Sequence, residues 1–417
     1  MFSKIKTRLS IMAEAKITQH PVGQGGLCAG SVSFNKETIR WVYDCGSKQG
    51  DSLKREINFL GKESLDLLFI SHFHNDHING IELLLGVRDT TEVVLPYLTE
   101  YERLLILAEQ QDRGQLTENF RSFIENPKKW FSARGVKNVT FVKSSRDENG
   151  GKGEIEFRRP SEDIRGELTP KWSKDPEEIK SGWAKGGRTV EPNAYITLAN
   201  QNGDIADWVF IPQVHPIDPN QTSAFQTALI EIFLNQDPID SFKKIIKTTV
   251  LKDKREAMHL FYKALRKAYK KLWNDQNEVT MSLYSGGISK DTRWYARFNY
   301  YQGIYLRNGK SKDEISGWLC TGDTDLSSPQ RRTAFLTFYE KLLENIIVFV
   351  VPHHGSAKNF HQELLDRMPN LICGVASAGC NGYGHPNKKV IEAIESCADF
   401  VLVNKHAKTK FTLKLTS

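Results

Sequence analysis

The stretch His72-Phe73-His74-Asn75-Asp76-His77 places four metal-capable side chains within six residues, directly after an apolar run from Leu65 to Ile70 that only Asp66 interrupts. A run of this kind reads as a strand buried on both faces. At the end of such a strand, residues two apart point the same way, so His72 and His74 can hold one cation between them. Asp76 and His77 lie beyond a turn and can face a second cation about 3.5–4 Å from the first, the usual separation in a two-metal site. Histidine is scarce here, with 11 in 417 residues, so three beside an aspartate in so short a stretch is not the pattern of a merely solvated loop. The fold is constrained accordingly: a rigid sheet must end at this point and aim side chains into a shared cavity at its edge.

Strand and helix signals alternate along much of the chain. Residues 31–34 and 39–43 read as paired strands around a polar turn, 80–85 as the start of a helix behind the histidine loop, and 93–95 as a further strand. In the middle, 101–123 has helical spacing, 139–142 is a strand, and 144–193 is polar, glycine-rich and loop-like. Strands at 194–198 and 208–211 and helices at 223–234 and 241–273 follow; in the last, Met258, Phe261, Leu265, Tyr269 and Leu272 recur every three or four residues. From 276 onward, strands at 279–284, 318–320, 346–351, 371–376, 400–403 and 411–415 alternate with helices at 329–344, 361–368 and one with Pro386 as its first residue. Such alternation implies a layered α/β class.

The six cysteines, Cys28, Cys45, Cys320, Cys373, Cys380 and Cys397, form no CxxC pair, and several sit in apolar runs. That fits free thiols in a reducing cytoplasm better than a disulfide framework. No apolar stretch reaches the roughly 20 residues that cross a bilayer, so no membrane association is expected. Met1 to Ser10 is basic but no apolar core follows it, against a signal peptide. A net charge of +7 is mild for this length and does not by itself argue for nucleic acid.

The HxHxDH pattern is the signature of the metallo-β-lactamase superfamily, and further elements resemble it in order. Pro21-Val22-Gly23-Gln24-Gly25 resembles the opening VGQG element of the hydrolase domain in the ComEC-type DNA-uptake channel and its soluble relatives. Val42-Tyr43-Asp44-Cys45-Gly46 resembles the strand-ending Asp-x-Gly, and Leu319-Cys320-Thr321-Gly322-Asp323 the LLTGD element. Val351-Pro352-His353-His354-Gly355-Ser356 resembles PHHGS, and Ser377-Ala378-Gly379 through Tyr383-Gly384-His385-Pro386 resembles SxG…YGHP. The resemblance implies an αββα sandwich with the active site at one edge. Residues 1–15 are then an N-terminal arm, 16–96 the first half of the sandwich, 97–275 a large, mostly helical insertion and 276–417 the second half.

By the same resemblance, two divalent ions, zinc or manganese, are the cofactors. His72 and His74 hold the first, Asp76 and His77 the second, and Asp323 bridges them. His354 completes the second site with His353 as a phosphate- or proton-handling neighbour, the reverse assignment standing open. His385 would stabilise a negative oxygen or protonate the leaving group, and Asp44 supports the metal loop. Many members place another histidine before the bridging aspartate as a third ligand of the first metal. Only His215 and His259 fall in that interval, so the first site is expected to be less filled or completed by water.

A metal lowers the pKa of bound water to near neutrality, which gives a hydroxide nucleophile, and Asp76 can orient it while ligating. No G-x-S-x-G elbow or P-loop competes with this chemistry. The PHHGS and YGHP elements point to phosphodiesters. Residues 241–271 carry eleven Lys and Arg against Asp253 and Glu256, with Tyr262, Tyr269 and Trp273 interleaved. A basic helical face of this kind can track a phosphate backbone, with Arg266, Lys267, Lys270 and Lys271 as its contacts. The leading expectation is a nuclease of DNA processing or anti-phage defence, with nucleic acid as partner. The alternatives are a small-molecule phosphodiesterase or esterase lidded by the insertion, or a subunit gated by a protein bound to 97–275.

Overall fold

The computed structural model describes residues 13–417 except 36, 146–154, 162–163, 165, 234–235, 248–250, 273–278, 290–291, 300, 303–304, 307–314, 380–381 and 383. Most of the arm, Trp273, Cys380 and Tyr383 therefore lie outside the described residues. Two mixed sheets stack with helices around them. The first runs in the order Tyr295–Asn299, Phe411–Thr416, Ala13–Gln19, Cys28–Phe34, Glu37–Tyr43, Leu65–Phe69, Thr90–Pro96, Asn138–Val142, Arg188–Val190 and Glu177–Glu178. The second runs Asp399–Val403, Cys373–Ser377, Ile346–Val350, Gly317–Cys320, Thr280–Gly286, Ile205–His215, Ile196–Ala199 and Thr169–Trp172.

Period-two patterning explains the outer strands. In Ala13–Gln19, Ala13, Ala15 and Ile17 are buried while Glu14 and Lys16 face water. The central strands are apolar on both faces and pair in parallel, Leu65–Phe69 with Glu37–Tyr43 and Thr90–Pro96, Ile346–Val350 with Gly317–Cys320 and Cys373–Ser377. Between the sheets, Trp41 meets Phe210 edge-on at 5.0 Å, and Phe69 meets Phe210 at 5.7 Å. Fully burying a side chain such as Phe210 stabilises by about 3 kcal/mol.

The 97–275 segment is not one helical block. Its helices Glu100–Asp112, Pro219–Ile232, Pro238–Lys247 and Leu251–Tyr269 pack together, but Asn138–Val142 extends the first sheet and Ile205–His215 sits inside the second. Val139, Phe141, Trp208 and Phe210 are buried at alternate positions, which makes these strands part of the core. The expected 144–193 loop holds three short strands, Thr169–Trp172, Glu177–Glu178 and Arg188–Val190, with Trp183 buried and donating to the Leu98 carbonyl at 3.0 Å. Such short polar strands carry no alternation to be read. Pro386 also differs from expectation: the helix is Lys388–Glu395, and Asn387 caps it by accepting from Lys389 N.

Candidate metal centre

The parallel strands end together. Glu37–Tyr43 leads into Asp44, Leu65–Phe69 into the histidine loop, Gly317–Cys320 into Asp323, and Ile346–Val350 into His353 and His354. Gly46 lets the loops close: a Cβ there would lie 2.5 Å from the backbone of Asp76 and His77. Gly25 packs as tightly, with φ 151° and a would-be Cβ 2.6 Å from the Asp76 carbonyl. At this contact only glycine fits without a shift of the ligand loop.

The ligands gather around the two oxygens of Asp323. Near Oδ2 lie His72 Nε2 at 3.5 Å, His353 Nε2 at 3.6 Å and His74 Nδ1 at 3.9 Å. Near Oδ1 lie His77 Nε2 at 3.4 Å and His354 Nε2 at 3.9 Å, and His354 Nε2 is 3.8 Å from Asp76 Oδ2. Two triads, His72–His77–Asp323 and Asp76–His77–His354, each bring their ligand atoms within 4.8 Å of one another. His353 and His354 both adopt left-handed backbone, φ 46° and 57°. Such conformations cost of order 1 kcal/mol each or more for residues with a Cβ, and they persist where the surroundings require them. Here they turn two successive imidazoles to opposite oxygens of one carboxylate.

Each ring is held by its far nitrogen. The Ser71 hydroxyl donates to Asp44 Oδ2 at 2.7 Å and so accepts from His72 Nδ1–H at 2.8 Å. His77 Nδ1–H donates to Asp44 Oδ2 at 2.8 Å, His354 Nδ1–H to the Ser377 carbonyl at 2.7 Å, and His353 Nδ1–H to Asn359 Oδ1 at 3.1 Å. For His74 the roles reverse: Nε2–H donates to Glu109 Oε1 at 3.3 Å, and Nδ1 faces inward. The tautomers follow from these partners, and each leaves a lone pair aimed at Asp323. His72 Nε2 and His74 Nδ1 thus face each other at 3.1 Å, an arrangement that calls for a cation between them.

The charge states agree. Burial, with His77 nearby, takes His72 down to about 4, and burial takes His354 to about 4, so both are neutral ligands at pH 7. Burial also opposes charge on Asp76 and Asp323, yet the surrounding imidazoles hold both carboxylates well below their ordinary range. His77 goes the other way: burial disfavours its cation, but Asp323 and Asp44 raise its pKa well above the ordinary value. A metal must displace that proton. Among the described residues, buried His77 Nε2, His354 Nε2 and Asp323 Oδ1 have no hydrogen-bond partner. Three orphaned, inward-facing donors of this type fit divalent metal ions, with the mixed nitrogen and oxygen set of zinc or manganese.

The structure therefore brings together His72, His74, Asp76, His77, Asp323, His353 and His354, with His385 at the rim, its ring 5.5 Å from that of His353. His353 Nε2 lies 3.6 Å from the Asp323 oxygen that His72 and His74 also face, but its side chain is 39% exposed, and the two close groups of ligand atoms include His354 and not His353. His215 is not there; it is buried in the second sheet, bonded to Ser282 Oγ at 3.0 Å, and burial lowers it to about 3. His259 is exposed. Asp44, itself left-handed at φ 59°, ties Ser71 and His77 and supports the loop.

Sequence reasoning missed Glu109. It is buried on the Glu100–Asp112 helix, holds His74, and pairs with Arg113. Its only signal is a carboxylate at the end of the apolar run Leu104–Ala108. Asn359, which fixes His353 while donating to the Asp323 carbonyl oxygen, carried no signal at all. The basic segment is largely engaged elsewhere: Arg266 and Lys270 pair with Asp112 at 2.8 and 3.5 Å, and Lys271 with Glu231 at 2.6 Å. Tyr262 is buried beside Phe261, so it is core and not a stacking platform. Lys267 is exposed and has no ion-pair partner among the described residues.

Among the described residues, Cys28, Cys45, Cys320 and Cys373 are buried and Cys397 is exposed, and no helix is long and apolar enough to cross a membrane. Compared with known proteins, residues 34–168 match the family model described as the metallo-beta-lactamase superfamily. No curated protein matches the sequence. Among solved structures, unliganded yeast PDE1 aligns at 9% identity and TM-score 0.39 over 96% of this chain and 99% of its own. The metallo-beta-lactamase fold protein YhfI from Bacillus subtilis aligns at 13% identity and TM-score 0.19, over 49% of this chain and 55% of its own. MEM-A1, a subclass B3 metallo-beta-lactamase from a soil metagenome library, aligns at 20% identity and TM-score 0.18, over 45% and 58%. The stretch that matches the metallo-beta-lactamase superfamily model carries His72, His74, Asp76 and His77.

Proposed function

We propose that this protein is a metal-dependent phosphodiesterase acting on a small diester. The reading is carried by the two groups of ligand atoms that share the Asp323 carboxylate. Divalent ions bound there supply Lewis acidity and an acidified water. The chain supplies the rest. Asp76 Oδ2, 3.8 Å from His354 Nε2 and 3.6 Å from Lys48 Nζ, is placed to orient the nucleophile by accepting its hydrogen bond. Lys48 and Arg113 add positive charge around the ligands, and His353 and His385 stand at the open side, where a phosphoryl oxygen or leaving group would sit. Burial, then His353, lowers the His385 pKa, so its neutral form is favoured and its N–H can stabilise a negative oxygen by a hydrogen bond and not by giving up a proton.

The choice of a small diester over a polymer rests on the basic helix. Of the four cations named for a phosphate backbone, Arg266, Lys270 and Lys271 already face carboxylates. A ComEC-type nuclease in DNA processing or defence is separated from this reading by one set of assays, and a subunit gated by a protein on 97–275 by copurification of that partner. Protein loaded with zinc or manganese is given bis(p-nitrophenyl) phosphate and single- and double-stranded DNA and RNA. The expected result is diester turnover that Asp76→Ala abolishes and Arg266→Ala with Lys270→Ala leaves within about twofold. Polymer cleavage that depends on those two cations would overturn the small-diester reading, and no diester hydrolysis with either metal would overturn the reaction itself.

A further inference from the structure

A cleft of about 210 Å³ opens on the outer face of the first sheet, against the last turn of the Gly50–Phe59 helix, and shares no lining residue with the metal centre. Strand register builds it. Lys16 pairs with Ser31, Thr18 with Ala29 and Thr412, and Ser31 with Arg40, so these side chains share one face. The small side chains at 18, 29, 31 and 412 leave the hollow. Lys16, Arg40, Arg88 and Lys410 surround it with His20 at one end, and no carboxylate lines it.

The nearest acids are already engaged. Buried Glu56 takes His20 Nδ1 at 3.0 Å, Lys410 Nζ at 2.9 Å and Arg55 Nε at 2.9 Å. Glu63 is exposed and 3.9 Å from Arg88 Nη2, and Asp66 Oδ2 accepts from the Arg40 backbone N–H at 2.8 Å. Among the described residues, neither the Lys16 ammonium nor the Arg40 guanidinium has an ion-pair partner. Arg88 is 5% exposed and its Nε donates to the Glu63 backbone carbonyl at 2.6 Å; burial lowers its pKa, Glu63 opposes the fall and Arg40 adds to it. Clustering a buried arginine with a second one is unfavourable unless an anion sits between them. Guanidinium forks match phosphate oxygens in geometry. Phe59, 67% exposed, and Leu60 give the cleft an apolar wall.

We propose that this cleft binds a phosphorylated small molecule of the nucleoside-monophosphate class, with the phosphate among Lys16, Arg40 and Arg88 and the ring end against Phe59 and Leu60. The volume is below the about 300–1,000 Å³ of pockets that enclose whole drug-sized ligands. The cleft therefore takes the phosphate and the adjoining sugar and leaves the rest on the apolar rim. The site needs no reaction at the metal centre, so it stands or falls independently of the proposed activity.

The test is hydrogen exchange read by mass spectrometry, with calorimetry, on the full metal-loaded chain given AMP, inorganic phosphate or adenosine. AMP is expected to protect 13–20, 57–66 and 408–416, to bind more tightly than phosphate, and to outbind adenosine by at least about tenfold, which is 1.4 kcal/mol. Lys16→Ala with Arg40→Ala should remove that protection while diester turnover and melting temperature hold. If the double variant fails to fold, Lys16→Ala alone, at an exposed position, should still weaken AMP severalfold. Protection confined to 70–78 and 352–357, adenosine binding as well as AMP, or unchanged AMP affinity in the variants would overturn the proposal.

Discussion

The metal centre, where strands of both sheets end, and the cleft on the outer face of the first sheet are opposite solutions in one molecule. At the strand ends, buried imidazoles and carboxylates converge, and three of their inward-facing atoms have no hydrogen-bond partner. On the outer face, cationic side chains converge with no lining carboxylate. Either set alone would be costly to assemble, because like charges brought together out of water repel strongly. The difference lies in how the protein holds each set. Every imidazole of the centre is locked by a partner such as Asp44, Glu109 or the Ser377 carbonyl, so its geometry is fixed in advance. In the cleft Glu56 ties His20 and Lys410 and the Glu63 carbonyl holds Arg88 Nε, while Lys16 and Arg40 have no ion-pair partner among the described residues. A fixed site suits chemistry, and a looser cationic one suits reversible anion binding.

The largest effect expected is at the centre. Asp76→Ala or His354→Ala should lower diester turnover by about 10³-fold or more, in line with the several kcal/mol of transition-state stabilisation a metal contributes, while circular dichroism shows the fold retained. A loss of less than about tenfold would break the claim that these ligands carry the reaction.

Glu56 sharpens the cleft side. Burial raises its pKa, but hydrogen bonds from His20, Lys410 and Arg55 prevail and lower it from 4.5 to about 2. Its folded pKa is depressed, so its contribution of about 3 kcal/mol is present above about pH 5 and is lost as pH falls through 4 toward 2. Glu56→Gln should therefore destabilise by about that amount at pH 7 in urea unfolding, with the gap from wild type closing toward pH 2. A gap independent of pH would mean that packing, and not charge, holds this corner.

Glu109→Gln comes next. Loss of the carboxylate that orients a metal-ligating histidine typically costs about 10–100-fold in metal affinity or activity. The deficit should appear in metal affinity, and excess metal should restore turnover. The smallest effect belongs to the basic helix: Arg266→Ala should cost at most about 1 kcal/mol of stability, since its pair with Asp112 is partly exposed. His77 adds a pH dependence: because its protonated form is favoured before metal enters, metal affinity should rise with pH until that proton is gone, as followed by competition with a chelator.

Local spacing alone placed His72, His74, Asp76 and His77 at a strand end, because the strand period and the ligand period coincide. Asp323, His353 and His354 lie far along the chain and were reached only through motif resemblance. The role of His353 depends on a left-handed backbone that nothing in its neighbours' identities specifies. Glu109 was not legible, since its partner is set by how a helix packs. The cleft was illegible for the same reason: residues 16 and 40 share a face through strand register, and 88 and 410 reach it from a helix end and a turn. The sheet strands within 97–275 were partly read as such, yet their place inside both sheets depends on pairings with distant strands. The basic run at 241–271 was legible as charge, but not the acids that face it.

Elemental analysis of the purified protein, beside an Asp323→Ala variant of matched fold, tests the shared-carboxylate centre most directly. The expected result is two divalent ions bound per wild-type chain after dialysis against zinc or manganese, and none held tightly by the variant. A wild-type chain that takes up neither metal, or an Asp323→Ala chain that keeps both, would contradict it.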